Sequence, residues 1–376
     1  MKVTEIDPLV VPRPYPARST PLPKGRFRPD ARWLGELMAN KYPGLVAQSL
    51  DITNILDSHT TKVMVDVTWN EVGRSAGLPD KLVIKTNWSG DFDNVDICAL
   101  EARCYHFLTE KLIVPTAKCY YADWDDNGSG EGIVILEDLT PRGGRFGTSM
   151  DTNSLDDLHL AVQDVARLHG GLWDSPLITP EAAPWLPTSM DVPVDYDQLR
   201  IMWRWLPQNL ANPEFRAIAP ARFLEEPEIL HTAYDNLTAF ERAFKAPYCV
   251  ILGDCHQGNT YILPSGERMW MDFQLVRRGR PWRDLTYFLV GMMSVEDRRK
   301  HHRDLLAIYR EELIKTGATQ VPSLDEIWEL TRRWVIYGLQ AWVVNLDAWG
   351  QKGLHMNERF FSAAADYDSW ALNGAY

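Results

Sequence analysis

Three side chains carry the chemistry this sequence could do. Asp254 and Asn259 bracket the run Gly253-Asp254-Cys255-His256-Gln257-Gly258-Asn259, and Asp272 lies near the end of the apolar run Met269 to Phe273. Two further apolar runs of strand length, Tyr248 to Leu252 and Thr260 to Leu263, flank the first group. Pro264-Ser265-Gly266 separates Thr260 to Leu263 from Met269 to Phe273 as a hairpin turn would. A carboxylate and a carboxamide thus share a loop, and a second carboxylate sits at a neighbouring strand end. Oxygen donors of this kind suit Mg²⁺, which is usually held by one or two carboxylates while substrate phosphates complete its shell. Gly-Asp and Gly-Asn pairs also make ordinary turns, so neither pair alone says anything. The full set, with Asp284-Leu285 downstream, is what points to phosphate chemistry.

The Gly253 to Asn259 run, Asp272-Phe273-Gln274 and Gly279-Arg280-Pro281-Trp282-Arg283-Asp284-Leu285-Thr286-Tyr287-Phe288-Leu289 together resemble the signature of the aminoglycoside phosphotransferase and choline kinase superfamily. Asp-Phe-Gln and Glu137-Asp138-Leu139 make the chain most similar to the ecdysteroid-kinase-like branch. The resemblance runs from about Leu34 onward. One position departs from it: Leu252 stands two residues before Asp254, where the family usually has a histidine that scaffolds the loop. The resemblance implies an α+β, protein-kinase-like fold of two lobes. It expects a small β-rich N-lobe with one key helix and a larger, mostly helical C-lobe. Residues 1–45 would form an arm and a short helix, 46–139 the nucleotide-binding lobe, and 140–376 the lobe with the catalytic loop and substrate helices.

The resemblance also implies roles. Asp254 is the expected catalytic base, Asn259 and Asp272 the expected Mg²⁺ ligands, and ATP the phosphate donor. Lys85 would reach the ATP phosphates from a central strand while Glu101, on the adjacent helix, holds it in place. Glu137 to Leu139 would be the hinge, whose backbone groups meet the adenine edge. The turn Asp57 to Thr61 sits where a phosphate-covering loop belongs but lacks G-x-G-x-x-G. Its contacts would come from backbone N–H groups and from the hydroxyls of Ser58, Thr60 and Thr61. Asp284 is expected to cap the following helix and brace the catalytic loop. His169, in Ala166-Arg167-Leu168-His169, is expected to be structural.

Periodicity supplies the elements that must hold these groups. Asp30 caps a short helix with Trp33, Leu34, Leu37 and Met38 on one face. Strands follow at Val46 to Leu56, Lys62 to Trp69 and Lys81 to Thr86, with a loop from Glu71 to Pro79. A helical pattern begins at Asp96, and Ile97, Leu100, Cys104, Phe107 and Leu108 share a face. Val114 to Tyr121 and Gly132 to Leu136 read as strands around an acidic hairpin loop. Helices are expected over Leu155 to Leu172, Tyr196 to Leu210, Glu228 to Phe244, Arg283 to Met293, Glu296 to Lys315, Leu324 to Trp349 and Asn357 to Leu372.

Composition bounds the partners. A net charge of −12 leaves no basic stripe for nucleic acid. Five cysteines without a C-x-x-C pair suggest neither a disulfide framework nor a zinc site and fit a reducing cytoplasm. No apolar run of 18 residues offers a membrane span, and Asp7, Pro8, Pro12, Pro14 and Pro16 stand where a signal peptide needs an apolar stretch. His301-His302 lies in a charged run and is read as a solvated helix face. Arg277, Arg278, Arg280 and Arg283 either meet a substrate anion or pair with nearby acids. Fifteen tryptophans either pack helices or wall a pocket for a flat, apolar ligand.

The leading expectation is an ATP- and Mg²⁺-dependent kinase acting on a small-molecule hydroxyl. Its acceptor would be a steroid-like or other apolar alcohol, or else an amino sugar or a choline-like amine. The alternative of another class is a nucleotide-binding pseudokinase without turnover.

Overall fold

The computed structural model describes residues 15–58, 60–88, 97–127, 129–189, 203–344 and 349–375. The start of the arm, His59, Asp96, residues 196–202 of the expected Tyr196 to Leu210 helix and residues 345–348 of the expected Leu324 to Trp349 helix lie outside them. The expected fold is present: a small lobe built on one sheet, followed by a larger helical lobe.

The small lobe is an antiparallel sheet of β1 (Ala47–Asp57), β2 (Thr61–Trp69), β3 (Lys81–Thr86), β4 (Cys119–Trp124) and β5 (Gly132–Glu137), in the order β1-β2-β3-β5-β4. The two-residue period of a strand sorts its side chains between two faces. On β2, Val63, Val65 and Val67 enter the core beneath the sheet, as do Leu82 and Ile84 of β3. Their alternates, Lys62 and Met64, then Val83 and Lys85, line a cleft on the other face. The helix Ala31–Met38, capped by the Asp30 carboxylate on the Trp33 N–H, closes the core side with Leu34, Leu37 and Met38. The described part of the arm packs here too. Arg18 donates to Asp123 at 2.6 Å and to Asp125 at 2.7 Å, and Leu22 is buried.

Three local expectations are corrected. Glu71 to Pro79 is not all loop, because Glu71–Ser75 winds one turn of helix on an Asn70 cap. Five residues are too few to show a helical period. The strand expected from Val114 starts only at Cys119; Thr116 instead bridges to Trp270, and the Pro115 carbonyl accepts from the Trp270 N–H. The helix expected from Asn357 begins at Gln351.

The helix Ile97–Phe107 packs against β4 and β5 and joins their inner face to the larger core. That core is built by the helices Leu155–Gly170, Ile229–Ala243, Trp282–Met292, Val295–Lys315, Leu324–Trp342 and Gln351–Asp366. Five short strands stand at the boundary between lobes: β6 (Arg145–Phe146), β7 (Cys249–Ile251), β8 (Thr260–Ile262), β9 (Arg268–Trp270) and β10 (Arg277–Gly279). β8 and β9 form the expected hairpin, and β7 pairs with β10. The His301-His302 run is not wholly solvated. Arg298 and His302 are buried against Tyr367, whose hydroxyl lies 2.6 Å from His302 Nδ1, while His301 is half-buried. No helix among the described residues is long and apolar enough to cross a membrane.

Candidate active site

A cleft of about 660 Å³ runs between the lobes, within the range of small-molecule sites. Its inner end is apolar. Met64, Val83, Ala117, Leu136, Leu139 and Met271 line it, a slot suited to a flat base. Glu137 and Leu139 both line it. The Glu137 carboxylate is committed elsewhere, to Arg142 at 2.8 Å and the Lys118 N–H at 2.8 Å. The Glu137 backbone N–H is taken too, by the Lys118 carbonyl at 2.9 Å.

Beyond the slot, Lys85 Nζ lies 2.8 Å from Glu101 and 2.8 Å from Asp272 Oδ1. Glu101 Oε1 also accepts the Phe273 N–H at 3.1 Å, so one buried carboxylate fixes both the lysine and the backbone after Asp272. Burial works against the Lys85 ammonium, but Asp272 and Glu101 outweigh it and raise its pKa. Burial pushes Glu101 up more strongly than Lys85 pulls it down. For Asp272 the balance reverses: burial raises it, Lys85 and Lys62 lower it, and lowering wins. Asp272 adopts a left-handed backbone (φ 62°, ψ 65°), which costs energy and recurs at functional sites.

The loop from Gly253 to Asn259 is braced from behind. The Leu252 and Gly253 N–H groups donate to the Asp284 carboxylate at 2.5 and 3.2 Å. Arg283 Nη2 and the Tyr337 hydroxyl both donate to the Gly253 carbonyl, each at 2.9 Å. His169 stands behind Asp284 at 3.7 Å, its Nδ1 held 2.9 Å from the Tyr309 hydroxyl. Leu252 thus needs no polar side chain, because backbone bonds to Asp284 hold the loop. Gly253 is at φ 84°, and a Cβ there would lie 2.0 Å from the Leu275 carbonyl oxygen, so glycine is required. Asp284 braces as expected but does not cap; its helix begins at Trp282 with Pro281 in the cap position.

On that loop, the Asn259 Nδ2 donates to the Asp254 carbonyl at 2.8 Å, which leaves its carboxamide oxygen as the available donor to a metal. Asp272 Oδ1 is taken by Lys85, and its other oxygen makes no hydrogen bond among the described residues. Among the described residues, no group of three His, Cys, Asp or Glu gathers as a self-sufficient cage. One free carboxylate oxygen and one amide oxygen fit a Mg²⁺ that depends on phosphates for the rest of its shell.

Two residues beside these gained no role from the sequence. His256 Nδ1 accepts the Gly258 N–H at 3.0 Å, which puts the ring proton on Nε2, 3.4 Å from Asp254 Oδ2. Burial lowers the His256 pKa, but Asp254 more than offsets it. Burial raises Asp254 in turn, yet His256, Arg283 and Tyr287 hold it below its ordinary value. The D-x-H spacing was the available signal. Lys62, from β2, also faces the cleft, and its Nζ lies 2.8 Å from Ser58 Oγ.

Of the three turn hydroxyls expected at the phosphates, only Ser58 lines the cleft. Thr60 is fully buried away from it, and Thr61 Oγ1 accepts the Trp88 N–H at 3.2 Å. The four arginines are buried structural groups. Arg278 donates to the carbonyls of Ile178 and Ala183 at 2.8 and 2.7 Å, and Arg280 to Glu241 at 3.0 Å. The outer end of the cleft is aromatic: Phe146, Trp342 and Trp349 line it with Met356 and Lys352. Most tryptophans pack cores, as Trp270, Trp282 and Trp334 do, and these two wall the cleft.

Comparison with known proteins agrees with the motifs. Residues 221–320 match the ecdysteroid kinase-like family. A search of curated proteins gives no match. Among solved structures, an ethanolamine kinase of Plasmodium vivax is similar at a TM-score of 0.54 and 11% identity, covering 92% of this chain and 89% of that one. A putative aminoglycoside phosphotransferase of Ralstonia eutropha gives 0.50 and 14%, covering 89% and 97%. A choline kinase of Streptococcus pneumoniae gives 0.50 and 12%, covering 89% and 98%. At these identities the structures establish a shared fold.

Proposed function

From a chain with the two-lobed phosphotransferase fold and an ecdysteroid kinase-like match over residues 221–320, we propose an ATP- and Mg²⁺-dependent kinase of a small-molecule alcohol with an apolar body. The observation that carries this reading is the convergence of Lys85, Glu101, Asp254, Asn259 and Asp272 on one cleft. A pseudokinase would be expected to have lost one of them.

Phosphoryl transfer asks a protein mainly for positioning and charge stabilisation. The apolar slot holds the base, and Lys85, steadied by Glu101, holds the phosphates. Asp272 and Asn259 would hold Mg²⁺, which would supply charge neutralisation on those phosphates. Asp254 receives the hydrogen bond of the acceptor hydroxyl and takes its proton as the new O–P bond forms and the bond to ADP breaks. Its pKa is held low, so it is a weak base. A loose transition state tolerates that, because the hydroxyl becomes acidic only late. His256 Nε2–H steadies the carboxylate through this step.

The outer end supports an apolar acceptor. Its walls are Phe146, Trp342, Trp349 and Met356, and among the described lining residues there its charged group is Lys352, a cation. An amino sugar or choline-like amine would call for carboxylates here. The test is ADP release from Mg-ATP across sterols, aromatic alcohols, amino sugars and choline analogues, with Asp254→Asn beside the wild type. Turnover with an apolar alcohol that the variant abolishes supports the reading. Turnover with a cationic acceptor overturns the substrate class, and no thermal stabilisation by Mg-ATP overturns the kinase.

A further inference from the structure

Lys62 and Lys85 are direct partners in the β2–β3 ladder. The strand period places both side chains on the cleft face, and both line it. Like charges directly opposite one another on neighbouring strands destabilise a sheet. The two lysines differ in how that repulsion is answered. Lys85 has two carboxylates at 2.8 Å. Lys62 has no carboxylate in ion-pair contact among the described residues. Its Nζ donates instead to neutral oxygens, Ser58 Oγ at 2.8 Å and the Thr60 carbonyl at 3.4 Å. Burial, with Lys85 alongside, pulls the Lys62 ammonium below its ordinary pKa. It is a half-buried cation beside Lys85, with no carboxylate in contact among the described residues.

We propose that Lys62 is a second phosphate-binding cation, delivered to the terminal phosphates of the nucleotide by the β1–β2 turn. The inference rests on the kinase reading above and assigns part of that site. The turn holds no G-x-G-x-x-G whose bare backbone could close over phosphates. A lysine tied to Ser58 and Thr60 supplies positive charge from the same place. Because Ser58 both lines the cleft and holds Lys62, the position of the turn and that of the cation are set together. The ammonium keeps its three protons throughout. The bonds exchanged are those of the transfer alone, acceptor oxygen to phosphorus formed and phosphorus to ADP oxygen broken.

The experiment is calorimetric titration of the full chain with ATP, ADP and adenosine in Mg²⁺, for the wild type, Lys62→Gln, Lys62→Arg and Ser58→Ala. A charge-assisted hydrogen bond corresponds to about 10- to 100-fold in affinity. Lys62→Gln should weaken ATP by about that factor and leave adenosine within about twofold. Lys62→Arg should recover most of the loss, and Ser58→Ala should lose less than Lys62→Gln. Equal ATP affinity in Lys62→Gln and the wild type would overturn the proposal while the kinase reading stood. So would a parallel loss of adenosine, the mark of a merely structural lysine. A wild type that binds adenosine and ATP equally would remove the phosphate site itself, and both readings with it.

Discussion

Lys85 and Arg280 are both buried cations held by a glutamate, and the two clusters differ in what surrounds them. Around Arg280 the cluster is enclosed. One guanidinium meets Glu241 at 3.0 Å and its carbonyl at 2.7 Å, and the rings of Phe244 and Tyr248 pack over it. Around Lys85 it stays open. One ammonium meets two carboxylates, Glu101 and Asp272, and a second lysine stands across the ladder. Asp272 is also in a left-handed backbone, and the cluster faces the cleft rather than the core. An enclosed ion pair maintains shape. One that opens onto a cavity, with a strained member at its wall, is arranged for charges that arrive with a ligand.

The sharpest separation of the two roles is expected on the catalytic loop. Asp254→Asn keeps the shape and removes the base, so kcat should fall by about 10²- to 10⁴-fold while the ATP Kd stays within about threefold. Single-turnover kinetics and calorimetry measure the two numbers. A variant with unchanged kcat would mean that Asp254 takes no proton.

Next in size are the cations themselves. Removing one partner from a buried pair costs about 3–5 kcal/mol, because an uncompensated charge stays behind. Lys85→Met and Arg280→Met should therefore both unfold at lower denaturant concentration. Activity per folded molecule should divide them: lost in Lys85→Met, retained in Arg280→Met. If Arg280→Met lost kcat in its folded fraction, the distinction between the clusters would fail.

How much of this the sequence disclosed depends on how far apart the determining residues lie. Lys81 to Thr86 is legible as a strand, and β3 matches it residue for residue. The motif residues Asp254, Asn259 and Asp272 were legible because a loop and a hairpin close in sequence bring them together. Lys62 stayed hidden. Its alternation was visible, but its opposition to Lys85 is a matter of register, which a single strand does not encode. The role of His256 depends on which nitrogen carries the proton, and a backbone N–H from Gly258 decides that. The four arginines stayed ambiguous because their partners are remote. Arg278 reaches a carbonyl 100 residues upstream, and Arg280 a glutamate 39 residues upstream. Thr60 was misplaced for a related reason: a turn hydroxyl points to solvent, core or cleft according to strand phase, and the turn residues alone do not fix the phase.

A smaller effect sharpens the Arg280 side of the comparison. Burial, opposed by Arg280, pushes Glu241 up to about 7, above its ordinary 4.5. The native state then binds the proton more tightly than the unfolded chain does. Stability from this group is fully present below the unfolded pKa and is lost as pH rises through about 7. Glu241→Gln should flatten that part of the profile, so its Tm difference from the wild type should change between pH 5 and pH 8. A difference constant across that interval would mean that Arg280 keeps Glu241 ionised throughout.

The smallest effect belongs to the cleft rim. Trp349 is 40% exposed and stands edge-on to Trp342, with ring centroids 6.3 Å apart. Half-solvated, it contributes less than a buried ring, and about 1 kcal/mol of acceptor binding is reasonable for its apolar face. Trp349→Ala should therefore raise the acceptor KM by about fivefold with kcat and the ATP Kd nearly unchanged. The same substitution leaves the inner end of the cleft intact, because among the described residues the ring pairs with Trp342 and Lys352. A fall in ATP affinity instead would place Trp349 against the nucleotide, and the division into a polar phosphate end and an aromatic acceptor end would have to be redrawn.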